Sequence, residues 1–323
     1  MLTETTRTDA VPETTAVDAL EAPERGPRCR GRAATRKRSR VLTYVGLVVA
    51  SCVAVFPLLF MVFSSFKEDH QIFADLGSFK AFLPTGHLSL DNYSGVFERV
   101  PAVRFITNSL IVTVAIVLLG LIVNSMIGFA ISRMRWRSKN IVLSLVLATL
   151  MVPFETIAVP LVYWVAKLPS LQWVVDGFLV KQGMLNTYQV QILPFVANAL
   201  SIFLFAQHFG DIPKEIDEAA RVDGASWWVI YSRIIVPLSG PTFATVAIIT
   251  MLPAWNSYLW PLMVIQEESM RPASVGMQYF FQLNPVWGQI MAYGTLITLP
   301  VLIIFVLFQR SFVASLAGTA VKG

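Results

Sequence analysis

Residues 105–132 read FITNSLIVTVAIVLLGLIVNSMIGFAIS, 28 consecutive positions without a charge, bounded by Arg104 and Arg133. About 20 apolar residues in helical form cross the roughly 30 Å hydrocarbon core of a bilayer. A run this long and continuous is a spanning helix, because in lipid each backbone N–H and C=O must find a partner within the segment. Strands of a membrane barrel would show short alternating segments instead. The run ends in Arg133, Arg135, Arg137 and Lys139, a basic block that anchors one side of the membrane.

Working outward, the same test predicts five more spans, at about 42–64, 141–166, 188–208, 240–264 and 289–310. The expected fold is all-α, a polytopic membrane protein with six transmembrane helices. Composition agrees: 55% of residues are hydrophobic and 14% charged, with a mean hydropathy of +0.63, whereas soluble domains carry about 25% charged residues. Residues 1–40 are polar and Arg-rich without apolar periodicity, which predicts a disordered basic tail ahead of a transmembrane domain over 41–323. The first apolar run is too long for a signal peptide's core and reads as a retained span. Cys29 and Cys52 suggest neither a metal site nor a disulfide, and His70, His87 and His208 fit no ligand spacing.

Lysine and arginine set the orientation. With the N-terminus inside, the cytoplasmic segments hold 18 basic residues and the outer loops 7. Both termini are therefore expected in the cytoplasm. The net charge of +5 is a topological signal, and nucleic acid is not expected as a partner. Arg36, Lys37, Arg38 and Arg40 are placed to rest on anionic lipid headgroups.

The cytoplasmic loop 209–239 is unlike the others. It starts Phe209-Gly210-Asp211-Ile212-Pro213-Lys214-Glu215-Ile216-Asp217-Glu218-Ala219-Ala220-Arg221-Val222-Asp223-Gly224-Ala225-Ser226, and it holds five acids against three bases. Asp211 and Pro213 are helix-start signals and Gly224 is a stop signal. They frame a helix of roughly 11 residues, about 16 Å long, followed by a second short helix at about 226–235. So short a helix is marginal alone in water and needs a surface to pack on. Glu215, Glu218 and Val222 share one face, while Ile216, Ala219 and Ala220 turn toward a neighbour. An interfacial helix lying on lipid is normally rich in Lys and Arg on its polar face. This acid-rich one reads instead as a protein-docking helix, with Glu218 available to a basic residue of the partner.

The spacing of Glu218-Ala219-Ala220, Gly224, Ile234 and Val236-Pro237 closely resembles the EAA loop of ABC importer permeases, with Val236 where the pattern has leucine. Gly183-Met184-Leu185-Asn186-Thr187, Trp255-Asn256-Ser257-Tyr258-Leu259-Trp260-Pro261-Leu262 and the ending Gln309-Arg310-Ser311-Phe312 resemble the carbohydrate (maltose-type) branch of that family. The resemblance covers about residues 45–323. It implies a type I ABC importer permease fold and a coupling helix seated in a cleft of a separate ATP-binding subunit dimer. Glu215, Glu218, Ala219, Ala220, Asp223 and Gly224 would be the coupling residues. A second permease subunit and an extracytoplasmic solute-binding protein would complete the system. No lysine follows glycine and precedes Ser or Thr as a phosphate-binding loop requires. ATP-Mg is therefore expected on the partner, no cofactor on this chain, and no enzymatic activity of its own.

Glu155 is the one acid well inside a span, between Pro153 and Pro160, where the helix is expected to bend. Such acids usually face a cavity or a partner. A pathway contact for sugar hydroxyls, a protonated structural hydrogen-bonder and a proton relay are all open, with a bundle-facing position favoured. Trp255, Asn256, Tyr258 and Trp260 could stack on and hydrogen-bond a sugar, or form an outer aromatic belt. The competing function is a secondary transporter driven by an ion gradient, which would need inverted repeats and paired broken helices. Neither is evident in the sequence. A membrane-embedded enzyme would need a polar set at one depth, and Glu155 stands alone there.

Overall fold

The computed structural model describes the backbone of residues 30–174, 177–282 and 284–320, and the side chains of residues 42–171, 180–282 and 284–306. The chain divides into two units, Met1–Val55 and Phe56–Gly323. The described part of the first is helix throughout and exposes Leu42, Tyr44, Val48 and Val53, an apolar surface suited to lipid or to another chain. The helix bounds are Arg30–Ser64, so the expected tail boundary at 40 falls inside a helix. The run Arg-Ala-Ala-Thr-Arg-Lys-Arg within it holds good helix formers. Residues 1–29 and Cys29 lie outside the described residues; Cys52 is exposed.

Three helices are each long and apolar enough to cross a membrane: Leu42–Ser64, Ala102–Arg133 and Trp287–Val306. Three pairs bent at a short break bring the number to six. Lys139–Met151 meets Phe154–Val165 at 101°, Tyr188–Val196 meets Ala199–Asp211 at 42°, and Trp227–Leu238 meets Gly240–Trp255 at 80°. Span 3 bends in the region where Pro153 and Pro160 predict it, whereas spans 4 and 5 are broken where continuous helices were expected. In span 3 the break falls at Val152–Pro153, since proline brings no N–H and pushes the residue before it out of the helical region. Gly240–Trp255 has 16 residues, about 24 Å at 1.5 Å per residue. The expected span at 240–264 is completed only past a second break, by Leu259–Val264.

The freed backbone groups are satisfied by side chains from neighbouring helices. Asn124 of span 2 is fully buried. Its Nδ2 donates to Val196 O at 2.9 Å, and its Oδ1 accepts from Asn198 N at 2.9 Å. One amide thus bridges both lips of the break in span 4. Pro194 cannot donate to Val190 O four residues back, and the buried Trp260 Nε1 donates to it instead, at 2.8 Å. Non-helical backbone at membrane depth survives only where protein covers it in this way. Gly128 lets spans 2 and 4 approach closely, for a Cβ there would lie 2.6 Å from Phe205 Cβ.

The loops on the other side are more structured than expected. A β-hairpin, Pro169–Val174 with Gly177–Gln182, pairs Ser170 with Lys181 and Leu171 with Val180. It adds two strands to the all-α expectation, and the Asp-Gly dipeptide at 176–177 was the overlooked signal. Lys67, expected as a simple loop charge, is 1% exposed and held by Asp75 at 2.9 Å and Lys80 O at 2.6 Å. The Asp69 carboxylate accepts from Trp287 N at 3.0 Å and Gly288 N at 2.8 Å. It caps the last helix, whose first N–H groups have no partner of their own.

Candidate docking site and pathway residues

The docking helix is Lys214–Val222, nine residues rather than the 11 expected. Pro213 precedes it, Glu215 and Asp217 lie in its first turn and Arg221 in its last, the order of charges that the helix dipole favours. Ile212, Ala220 and Ala225 pack against a buried cluster of Phe129, Phe205, Phe209, Ile230, Tyr231 and Ile235. That cluster joins spans 2 and 4 to the segment Trp227–Leu238. Within this segment Ile230–Ile235 form a π-helical run, and the Tyr231 hydroxyl lies 2.7 Å from Ser125 Oγ of span 2.

The helix ends as its glycine predicts. Gly224 has φ +84°. Gly224 N donates to Arg221 O at 3.0 Å and Ala225 N to Ala220 O at 2.9 Å. These are the two bonds of a Schellman motif, with glycine in the left-handed position.

The floor of the site is a buried ion pair that the sequence analysis did not single out. Arg133 Nη1 donates to Asp217 Oδ2 at 3.1 Å, and Nη2 donates to Ile212 O at 2.7 Å. The two side chains are 1% and 9% exposed. Burial pushes the Asp217 carboxyl above the usual carboxylate range; the Arg133 charge and hydrogen bond work against that shift, and Glu218 adds to it. Asp217 Oδ1 and Arg133 Nε are buried without a hydrogen-bond partner. A signal was present: Ser125, Phe129 and Arg133 follow one another at i+4 on a buried stripe, and Asp217 sits beside Ile216 and Ala220 on the inward face. Arg133, read from the sequence only as part of a basic block marking one side of the membrane, therefore also grips the loop.

Glu215, Glu218, Val222 and Asp223 are exposed, Val222 to 88%. Ala219 is exposed as well, open to a neighbouring surface, while Ile216 and Ala220 are half-buried. The helical rotation explains this, since Asp217 takes the inward place and Ala219, two residues on, is carried outward. The six expected coupling residues thus lie together on one short element, five of them facing out.

The expected pathway residues do not converge. Glu155 is exposed in the first turn of Phe154–Val165, just past the 101° break. Its exposed side chain lies on a surface of this single chain that lipid or a second permease would cover. Trp255 is buried, and its Nε1 donates to Ile297 O at 3.2 Å. Trp260 is buried as well, and its Nε1 donates to Val190 O, so both indole N–H groups are taken by backbone carbonyls of this chain. Asn256 is exposed and donates to Leu252 O at 2.9 Å, capping its own helix, and Tyr258 is exposed.

Three long apolar helices and three bent pairs, with a short acid-faced helix held on a buried ion pair, define a polytopic membrane protein. The chain belongs to the family of binding-protein-dependent transport system inner membrane components, which it matches over residues 116–318. It is 33% identical over 295 residues to the arabinooligosaccharides transport system permease protein AraQ of Halalkalibacterium halodurans, covering 89% of this chain and 99% of that one. It is 31% identical over 294 residues to the sn-glycerol-3-phosphate transport system permease protein UgpE of Brucella abortus, covering 88% and 98%. A chain in the crystal structure of a bacterial ABC transporter that imports the acidic polysaccharide alginate shares the fold, with a TM-score of 0.71 at 19% identity over 85% of this chain and 97% of that one. The chain is thus an inner-membrane permease component and not an enzyme. Broken helices alone would also suit a transporter driven by an ion gradient; the family membership decides against it.

Proposed function

We propose that this permease carries a sugar or oligosaccharide into the cytoplasm, driven by ATP that a separate subunit dimer hydrolyses as ATP-Mg. The solute is delivered by an extracytoplasmic binding protein, and a second permease completes the pathway. Both termini lie in the cytoplasm, as the Lys and Arg asymmetry requires. The transport of arabinooligosaccharides and alginate by the relatives named above supports the sugar class. The glycerol-3-phosphate relative widens it to small polyhydroxylated solutes.

One observation carries the coupling role. The Lys214–Val222 helix turns Glu215, Glu218, Ala219 and Val222 to solvent while its inner face is fixed to span 2 through Arg133 and Asp217. A force on its outer face reaches a spanning helix through a contact with little slack. Exposed Val222 and the carboxylates suit a cleft with an apolar floor and a basic rim. The test is cross-linking from Ala219→Cys, in a chain freed of Cys29 and Cys52, in the assembled transporter. The ATPase is trapped, and faster ATP turnover with loaded binding protein accompanies sugar uptake in vesicles. An assembled transporter that never yields the cross-link refutes the docking role.

A further inference from the structure

Beside the Lys214–Val222 helix lies an open groove of about 570 Å³, walled on its other side by the end of span 2 and the loop after it. Arg133, Arg135, Lys139, Lys214 and Arg221 line it against only Asp217 and Glu218. Arg133 and Asp217 neutralise each other across 3.1 Å. Three positive charges are left over once Glu218 is set against the remaining four. Arg221 lies over the Trp227 ring at 4.8 Å. Arg135, Lys139 and Lys214 have no acidic partner among the described residues.

A subunit that grips the helix also roofs this groove. Covering uncompensated cations carries a large desolvation penalty unless the cover brings opposite charge. We propose that the ATP-hydrolysing partner carries an acidic element, a segment with Asp or Glu side chains, that fills this groove next to the docking helix. The inference rests on the docking role proposed above. A peptide fits the groove better than a lipid phosphate. The partner seated on the exposed face of the Lys214–Val222 helix already stands beside the groove, so its carboxylates are the nearest source of opposite charge.

The experiment uses the full chain assembled with its second permease and ATPase. Arg135 and Lys214 are exposed, so Arg135→Glu with Lys214→Glu leaves the fold intact. The double variant binds the ATPase roughly tenfold more weakly at low salt. Wild-type association weakens as salt rises, and the variant loses most of that slope; Arg135→Gln with Lys214→Gln falls between. Unchanged binding and salt slope in the double variant, with the Ala219→Cys cross-link still forming, overturns the acidic element and leaves the docking role standing. Loss of the cross-link in the wild-type assembly removes the docking role itself. Unchanged ATPase binding, together with loss of a dependence of transport on the phosphatidylglycerol content of vesicles, assigns the groove to lipid and overturns the proposal.

Discussion

Arg133 and Asp217 stand 84 residues apart in the chain and meet at 3.1 Å, where the last turn of span 2 receives the docking helix. The same guanidinium also holds Ile212 O, so one side chain fixes both the approach to the helix and its inward face. Removing one partner of such a pair strands a buried charge and costs about 3–5 kcal/mol, whereas replacing both with apolar groups is often neutral. Arg133→Met and Asp217→Leu alone are expected to lower thermal stability in detergent and uncouple ATP hydrolysis from uptake. The double variant is expected to regain most of the stability. Singles that behave like wild type in both assays would disprove the grip.

The raised Asp217 carboxyl gives a pH signature. Its folded pKa exceeds the ordinary 3.8 because burial outweighs Arg133. Between these two values the folded state holds the extra proton, so stability falls as pH rises through that window and is flat above it. Hydrogen exchange at the Lys214–Val222 amides, corrected for intrinsic rate, should show protection weakening with rising pH across the window. Asp217→Asn should abolish that slope.

Gly224 has open space around an added Cβ but a φ of +84°. The cost of substitution is therefore backbone strain and not collision. Gly224→Ala is expected to lose about 1 kcal/mol, Gly224→Asn less, and Gly224→Val more. Coupled uptake should follow the same order, Gly, Asn, Ala, Val, with membrane insertion unchanged. Equal uptake across the series would mean that the Schellman turn does not position the helix.

Asn124 makes the break in span 4 tolerable. Asn124→Leu strands Val196 O and Asn198 N, each costing about 1–3 kcal/mol when buried. A fall in melting temperature is expected, and Asn124→Gln should not restore it, because the longer side chain cannot reach both groups in place. Unaltered melting in Asn124→Leu would show that water reaches the break.

The spans and the docking helix were legible because each is written in contiguous residues. Charge-free runs mark helices in lipid, and Pro213 and Gly224 bracket a turn of known geometry. What the sequence hid is long-range. Nothing local to Asn124 says that it mends a break 72 residues on, and nothing local to Pro194 says that Trp260 takes up its orphaned carbonyl. For Trp255 and Trp260 the sequence left sugar stacking and an outer belt open, because composition cannot show which carbonyls their indole N–H groups meet. A bend between Pro153 and Pro160 was legible, but not its size, and the 101° angle sets where Glu155 in the next turn points. Arg133 was legible as a charge at a membrane edge, but its partner was invisible until the loop folded back.

The cap that Asp69 places on the last helix reaches across 218 residues. A ribosome working at 5–20 residues per second needs on the order of ten to forty seconds to make that interval. For all that time the carboxylate waits without the two N–H groups it will bind. The segment near residue 69 therefore reaches its final form only after the start of the last helix has been made, and a nascent chain cut before Trp287 would expose that segment to quality-control proteases.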